Sequence, residues 1–392
     1  MRIAINGTGV AGPALAWWLQ HYGHEPVLFE KAPSLRTGGY VIDSWGVGYD
    51  VAERMGILPA LYSAGYVMRE LRMLGRDGRT VASLDVRAFA ELLEGRYVSI
   101  ARGDLASIVY RSCGEVPTHF GLSIAEVQER ERSVRIRLSD GSLDEFDLVV
   151  GADGLHSQIR SLVFGSEAKF ERPLGCCVAA LTLSRYRPRD ELTYLSYTVP
   201  KRQVFRMALT EDVSMFLFIF RDELLGTFPR TLDERRDALQ GAFRDMGWEA
   251  PQILARLNEV DDIYFDRVSQ IRMDQWSKGR VALIGDAAAC VSLLAGEGTG
   301  LAMTEAYVLA GELHTSGADY TRAFREYETK FRPFLVSKQQ AALKMTGFFA
   351  PKTSFGMFVR NLITRFCANP LLAKFFLGAA LRDDFRLPEY AR

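Results

Sequence analysis

MRIAINGTGVAGPALAWWLQHYGHEPVLFE, residues 1–30, decides the fold. Arg2–Asn6 is a short apolar run that stops at a glycine, the pattern of a buried strand. Val10 to His21 carries apolar residues at helical spacing. Pro26–Glu30 is a second buried run. Strand, helix and strand around a tight glycine turn make a βαβ unit on a parallel sheet. Gly7 permits the turn, Gly9 lets the backbone approach a pyrophosphate, and Gly12 lets the helix pack on the strand. The helix start offers amides and a positive dipole end to phosphates. Glu30 ends the second strand, where an acid bonds ribose hydroxyls and repels a 2′-phosphate. The spacing therefore predicts bound FAD or NAD rather than NADP. Val10, Ala11 and Lys31 complete the expected grip. An ordinary βα turn explains the glycines alone; strand, helix and Glu30 together favour the dinucleotide.

Two further stretches have the same texture. DLVVGADGLHSQIR, Asp147 to Arg160, runs a buried strand into Asp153-Gly154 and then a helix. Taken alone it reads as a capped helix start, because Asp is a good N-cap and Gly tolerates unusual dihedrals. GDAAACVSLLAGEGTG, Gly285 to Gly300, follows the strand Val281 to Gly285. That strand delivers Asp286 to a sheet edge, within reach of ribityl hydroxyls. The alanines after it leave room for something flat. Gly296, Gly298, Thr299 and Gly300 precede a helix, Gly300 to Leu313, and their amides are placed to face a phosphate or a polarised carbonyl. A tight strand–helix turn is the plainer alternative.

Between these motifs the chain changes character. Asp50 to Met55 and Leu105 to Ser112 read as helices; Val81 to Val86 and Tyr97 to Ala101 read as strands. Val134 to Leu138 and Phe146 to Gly151 read as strands joined by a hairpin turn at Asp140-Gly141. From Cys176 the segments CCVAALTL, ELTYLSYTV, QVFRMAL and VSMFLFIF predict an antiparallel sheet with one covered face. Leu232 to Met246 reads as a helix, and Val281 to Gly285 is expected to rejoin the first sheet. The fold class is thus α/β: a Rossmann-like FAD-binding domain (1–70, 97–172 and 276–330), an inserted β-sheet substrate domain (71–96 and 173–275) and a C-terminal helical extension (331–392).

Composition narrows the function. The 48 basic and 48 acidic residues cancel, so nothing favours nucleic acid. The five cysteines have no CxxC spacing and the five histidines no HExxH pattern, which argues against a disulfide framework and a metal site. No signal sequence and no run of 18 apolar residues is present, so a cytoplasmic protein with little membrane contact is expected. A monomer is the favoured state.

Together and in this order, the three motifs resemble the class A flavoprotein monooxygenases, the p-hydroxybenzoate hydroxylase-like family. The fingerprint matches Gly7, Gly9, Gly12 and Glu30; the Asp-Gly motif matches Asp153-Gly154; the Gly-Asp motif matches Gly285-Asp286; the flavin-contacting arginine matches Arg102 in ARGDL. GVAGPALAWWL, RTGGYVID, GADGLHS and QIRMDQWSKGRVALIGDAA look most like the tetracycline-inactivating monooxygenases, and with them antibiotic resistance enters the reading. The resemblance implies non-covalent FAD, NADPH or NADH as transient reductant, and O2. It implies hydroxylation of an aromatic or polycyclic, tetracycline-like substrate through a C4a-hydroperoxyflavin. A reductase or cyclase on the same scaffold, or a flavoprotein that only binds a ligand, stays open. The chemistry centres on the flavin, so no acid–base residue is assigned. Amides near Gly296 to Gly300 are expected to stabilise charge at the flavin N1–C2=O locus. The family's histidine and prolines in the third motif are replaced here by Ala289 and Ser292-Leu293. Arg206, Phe216, Phe218 and Leu293 are weaker candidates for substrate contact; a solvated surface arginine is the alternative for Arg206.

In the tail, Phe355, Phe358, Val359, Leu362, Ile363 and Phe366 share one helical face, with Arg360 and Arg365 towards the other. The segment Phe348 to Leu381 reads as a lid helix, a helix packed on the body, or an interfacial helix.

Overall fold

In the computed structural model, which describes residues 1–36, 40–86, 93–367 and 383–391, the opening unit sits inside a six-stranded sheet. Arg2–Asn6 lies between Leu148–Gly151 and Glu25–Glu30, parallel to both, with Ile5 opposite Val150 and Leu28. Thr118–Phe120 adds a parallel strand outside Glu25–Glu30. On the other side Val281–Leu283 pairs parallel with Leu148–Gly151, so this run does rejoin the first sheet. Ser277–Lys278 closes that edge antiparallel. Ile3, Ala4, Ile5, Val149 and Val150 are fully buried, as a central parallel strand covered on both faces requires.

The hairpin turn at Asp140-Gly141 is present, but its second strand is Leu143–Phe146 rather than Phe146 to Gly151. Asp147 separates the two pieces. Its Oδ2 accepts from Arg2 N at 2.7 Å, and Leu148–Gly151 then enters the parallel sheet. With Ile124–Glu129 the hairpin forms a separate three-stranded sheet.

The insert is a seven-stranded sheet in the order Tyr264–Ile271, Glu171–Ser184, Val213–Arg221, Arg202–Ala208, Thr193–Val199, Glu70–Leu74, Thr80–Asp85. It is antiparallel except where Thr193–Val199 meets Glu70–Leu74 in parallel. Alternation along Val213–Arg221 splits its side chains between two faces. Phe216, Phe218 and Phe220 pack with Phe243, Leu239 and Ile253 beneath the helices Leu232–Phe243 and Ala250–Ala255. Met215, Leu217 and Ile219 turn to the opposite face.

Two long helices complete the molecule. Gly298–Ser316 is almost wholly buried. Tyr320–Phe349 runs without a break through position 330. Ser354–Cys367 then lies on the far edge of the seven-stranded sheet, where Arg365 donates to Val81 O at 2.6 Å. Its orientation reverses the usual amphipathic rule: Arg360 is 4% exposed, whereas Phe355 and Phe358 are 75% and 62% exposed. The rest of the tail reading, from 368 to 381, lies outside the described residues. No described helix is long and apolar enough to cross a membrane.

Candidate functional site

A cavity of about 310 Å3 opens where the carboxyl ends of the parallel strands meet the seven-stranded sheet. Gly7, Gly9, Val10, Ala11, Glu30, Lys31, Arg102, Asp153, Gly154, Asp286, Leu293, Gly296, Gly298 and Thr299 line it. Three motifs far apart in sequence are thus brought to one place. Gly12, Gly285 and Gly300 stand behind the wall. A Cβ on Gly12 would come within 2.0 Å of Gly7 O. Gly285 holds φ +62° at the corner before Asp286. A Cβ on Gly48 would meet Gly300 Cα at 2.3 Å, so these two glycines let their helices touch.

The first turn is built by its neighbours. Gly7 N donates to Phe29 O at 2.7 Å, and Ala152 N donates to Asn6 O at 2.9 Å. Glu30 accepts three bonds: from Thr8 N and Thr8 Oγ1 on Oε2, and from Ala32 N on Oε1, each at 2.9 Å. A carboxylate has about four acceptor positions, so one remains for a ligand hydroxyl. Asp153 spends its oxygens on the scaffold. Oδ1 accepts from Ser157 Oγ at 2.5 Å, and Oδ2 accepts from Asn6 Nδ2, Gln158 N and Ile159 N at 3.0, 2.8 and 3.1 Å. The helix is capped, but by Ser157, which accepts from Arg160 N at 3.0 Å, while Asp153 bonds its first two amides and Gly154, at φ +79°, leaves open space beside it. Arg160, fully buried, ties the second and third motifs together by donating to Leu155 O and Ala287 O at 2.6 and 3.0 Å.

Three features fit a dinucleotide carrying a flavin. The helices Ala11–His21 and Gly298–Ser316 both start without a side-chain cap, and residues of both starts line the cavity. Their unpaired amides and dipole ends suit a pyrophosphate and an electron-rich carbonyl. A Cβ on Gly9 would meet no protein atom within 4 Å, so nothing in the protein itself demands glycine there. Between the motifs, Tyr40 and Tyr264 lie 5.8 Å apart beside Arg102. Burial pushes the Tyr40 hydroxyl up to about 12, and burial raises Asp286 despite the pull of Arg102. When bound, FAD supplies hydride acceptance and oxygen activation; the residues above are placed where they would hold it.

The substrate candidates part company. Leu293 lines the cavity. Arg206 does not: it is 2% exposed and donates to both oxygens of Glu249 at 2.7 Å, to Pro188 O at 2.6 Å, and to Asp190. It is neither a solvated arginine nor a substrate clamp. Its register partner is Phe216, so the pleat turns both towards the helices of the insert. Phe216 and Phe218 are likewise sealed in that core, against Tyr186 and Phe243.

Sequence reasoning missed Tyr40, His156, Tyr264, Asp266 and Arg267, all lining the cavity. Tyr264–Ile271 gives no clear alternation, so its strand went unread. His156 lies between Glu167 and Asp266 at 3.0 and 3.2 Å, and the Asp266 bond raises it to about 9. Cys290 is buried and its thiol pushed well above the ordinary range by burial, so it is an inert wall. Among the described residues no cluster could hold a metal ion.

The fold and this cavity define a flavoprotein, and the comparisons place it more closely. A family model described as the FAD binding domain matches residues 1–335. A flavin-dependent monooxygenase from an unknown prokaryotic organism is 34% identical over 390 residues, covering 100% of this chain and 99% of its own. The crystal structures of the tetracycline destructases Tet(51) and Tet(55) superpose with a TM-score of 0.84, at 29% and 30% identity. Both cover 99% of this chain, and 99% and 98% of their own. The chain belongs to the FAD-dependent monooxygenase family and is an enzyme of the class A type.

Proposed function

We propose that this monooxygenase oxidises a polycyclic aromatic or enolic compound of the tetracycline type, with NADPH or NADH as reductant and O2 as co-substrate. The observation that carries the proposal is the aromatic wall of the cavity and the packing behind it. Tyr40 lines the cavity and also packs against a cluster of Tyr66, Met68, Val86, Met207 and Met215, with Tyr97, Tyr194 and Leu217 at its margin. This is the face of the seven-stranded sheet opposite Phe216. Tyr40 apart, the cluster is buried and braces the wall from behind; Tyr40, Tyr264 and Leu293 themselves line the cavity and give it an aromatic and apolar surface suited to a large flat ligand. Whole-length likeness to two tetracycline destructases supports the same substrate class.

The chain's own residues then divide the work. Gly9 and the first helix start hold the pyrophosphate. Glu30 takes a ribose hydroxyl with its remaining acceptor position. Gly296 and the Gly298 helix start, on the cavity wall, would stabilise the negative charge of the reduced flavin. Tyr40, Tyr264 and Leu293 exclude water from the reacting face.

The test is mass spectrometry of a tetracycline incubated with protein, FAD, NADPH and air. A product heavier by one oxygen supports the proposal. NADPH consumption with a product that gains no oxygen moves the enzyme to a reductase or cyclase reading. No turnover with any tetracycline removes the substrate class.

A further inference from the structure

The described C-terminal segment, 383–391, reaches the flavin-side turn through a carboxylate. The helix Gly46–Arg54 starts at Trp45 without a side-chain cap from its own chain neighbourhood. Asp383 supplies one from the other end of the sequence: its Oδ2 accepts from Val47 N at 2.8 Å. The same carboxylate meets Lys338 Nζ at 2.6 Å, and Lys338 meets Glu297 Oε2 at 2.9 Å. These side chains are 11%, 12% and 18% exposed, so the triad is largely screened from water. Glu297 immediately precedes the Gly298–Ser316 helix, between Gly296 and Gly298 on the cavity wall. One residue into its own helix from Val47, Gly48 packs on Gly300 with no room for a side chain.

The residues after Asp383 anchor the segment at several separate points, so no single one of them sets the place of Asp383. Phe385 packs on Phe331 and Phe334, with ring centroids 5.0 and 5.3 Å apart. Tyr307 donates to Pro388 O at 2.6 Å, Arg54 pairs with Glu389 at 2.6 Å, and Tyr390 bonds Glu312 at 2.5 Å. The segment thus lies along the Gly298–Ser316 helix and presents one acid to its beginning.

We infer that Asp383 is a positioning residue for the cofactor: it fixes the start of the Gly46–Arg54 helix and, through Lys338, the Glu297 turn whose amides face the flavin. None of these groups touches the reacting atoms. They set where the Gly296 to Gly300 backbone stands. Neutralising Asp383 leaves Lys338 to Glu297 alone, and deleting its side chain also uncaps Val47 N.

The test is FAD titration of the apoprotein, followed by quenching of flavin fluorescence, with thermal unfolding of the same samples. Asp383→Asn keeps an acceptor for Val47 N and removes the charge; Asp383→Ala removes both. Asp383→Asn is expected to weaken FAD binding about tenfold, and Asp383→Ala further. Tyr390→Phe, which loosens the far end of the segment, is expected to lower the melting temperature and keep FAD affinity within about twofold of wild type. In a Glu297→Gln background the effect of Asp383→Asn should largely disappear, because the two act through one lysine. Wild-type affinity for both Asp383 variants overturns the inference. So does an equal loss of affinity in Tyr390→Phe, which would show general packing. Asp383→Asn is nearly isosteric, so the test survives if Asp383→Ala fails to fold.

Discussion

Gly9 and Gly12 stand in one motif, yet the structure asks different things of them. A Cβ on Gly12 would lie 2.0 Å from Gly7 O and 3.1 Å from Gly7 C, both backbone atoms that cannot swing aside. Gly12→Ala should therefore cost about 1–3 kcal/mol or more of apoprotein stability, the range of an overpacked core. A Cβ on Gly9 meets nothing within 4 Å, and its backbone is outside the left-handed region. Gly9→Ala should leave the apoprotein as stable as wild type or raise it by about 0.4–1 kcal/mol, because alanine narrows the unfolded ensemble. Its methyl would instead occupy ligand space. Losing one hydrogen bond to a charged phosphate is worth about 1.5–3 kcal/mol. FAD affinity should then fall about 10- to 150-fold. Urea unfolding of the apoproteins and FAD titration separate the two outcomes. A Gly9→Ala protein that binds FAD like wild type would refute the placement of the pyrophosphate. A Gly12→Ala protein of undiminished stability would refute the packing argument.

Two other changes test the scaffold. Glu305 is buried, accepts from Gly285 N at 2.8 Å and from Tyr327 Oη at 2.7 Å, and lies near Asp286; burial raises it from 4.5 to about 8. The native state therefore keeps a proton that the unfolded chain releases near 4.5, and stability present at low pH is lost as pH rises towards 8. Glu305→Gln should remove that slope in urea unfolding between those limits; an unchanged slope would assign it to other groups. Arg206→Met strands Glu249 and Asp190 in the insert and should cost about 3–5 kcal/mol, with FAD affinity unchanged. Lost substrate binding at full stability would instead restore the clamp reading.

What the sequence disclosed follows a physical divide. The Arg2–Asn6, Ala11–His21 and Glu25–Glu30 elements were legible because their signals are local: an apolar run, a helical period and glycines between them. Val281–Leu283 was legible because a strand buried on both faces is apolar throughout. Glu70–Leu74 and Tyr264–Ile271 were not, because mixed sequences such as ELRML become strands only when distant partners pair with them. The expectation of only one covered face is corrected, since Met215 and Ile219 on the other face are buried too. The alternation of Phe216, Phe218 and Phe220 marked a covered face. It could not say whether helices or ligand cover it, and the structure gives the phenylalanines to the helices and Met207 and Met215 to the other side. The exposed apolar side of Ser354–Cys367 and the role of Asp383 have no local signature, since both depend on contacts across the chain.

The Ser292-Leu293 loop shows why a local substitution has a wider reach. Ser292 adopts φ +154°, and its hydroxyl accepts from Leu294 N at 3.2 Å to start the turn Leu293–Ala295. Gly296, at φ +73°, ends that turn on the cavity wall. Proline holds φ near −65° and has no side-chain acceptor, so a proline here would need a rotation of roughly 140° about this bond. The backbone that carries Leu293 into the cavity is therefore one that serine permits and proline forbids. Ser292→Ala should lose the cap alone, about 1 kcal/mol, and keep the turn. Ser292→Pro should rebuild the turn, shift Leu293 and Gly296, and change substrate KM and FAD affinity together. Steady-state kinetics beside FAD titration measure both. A Ser292→Pro enzyme with wild-type KM and melting temperature would show that Ser292 does not set this wall.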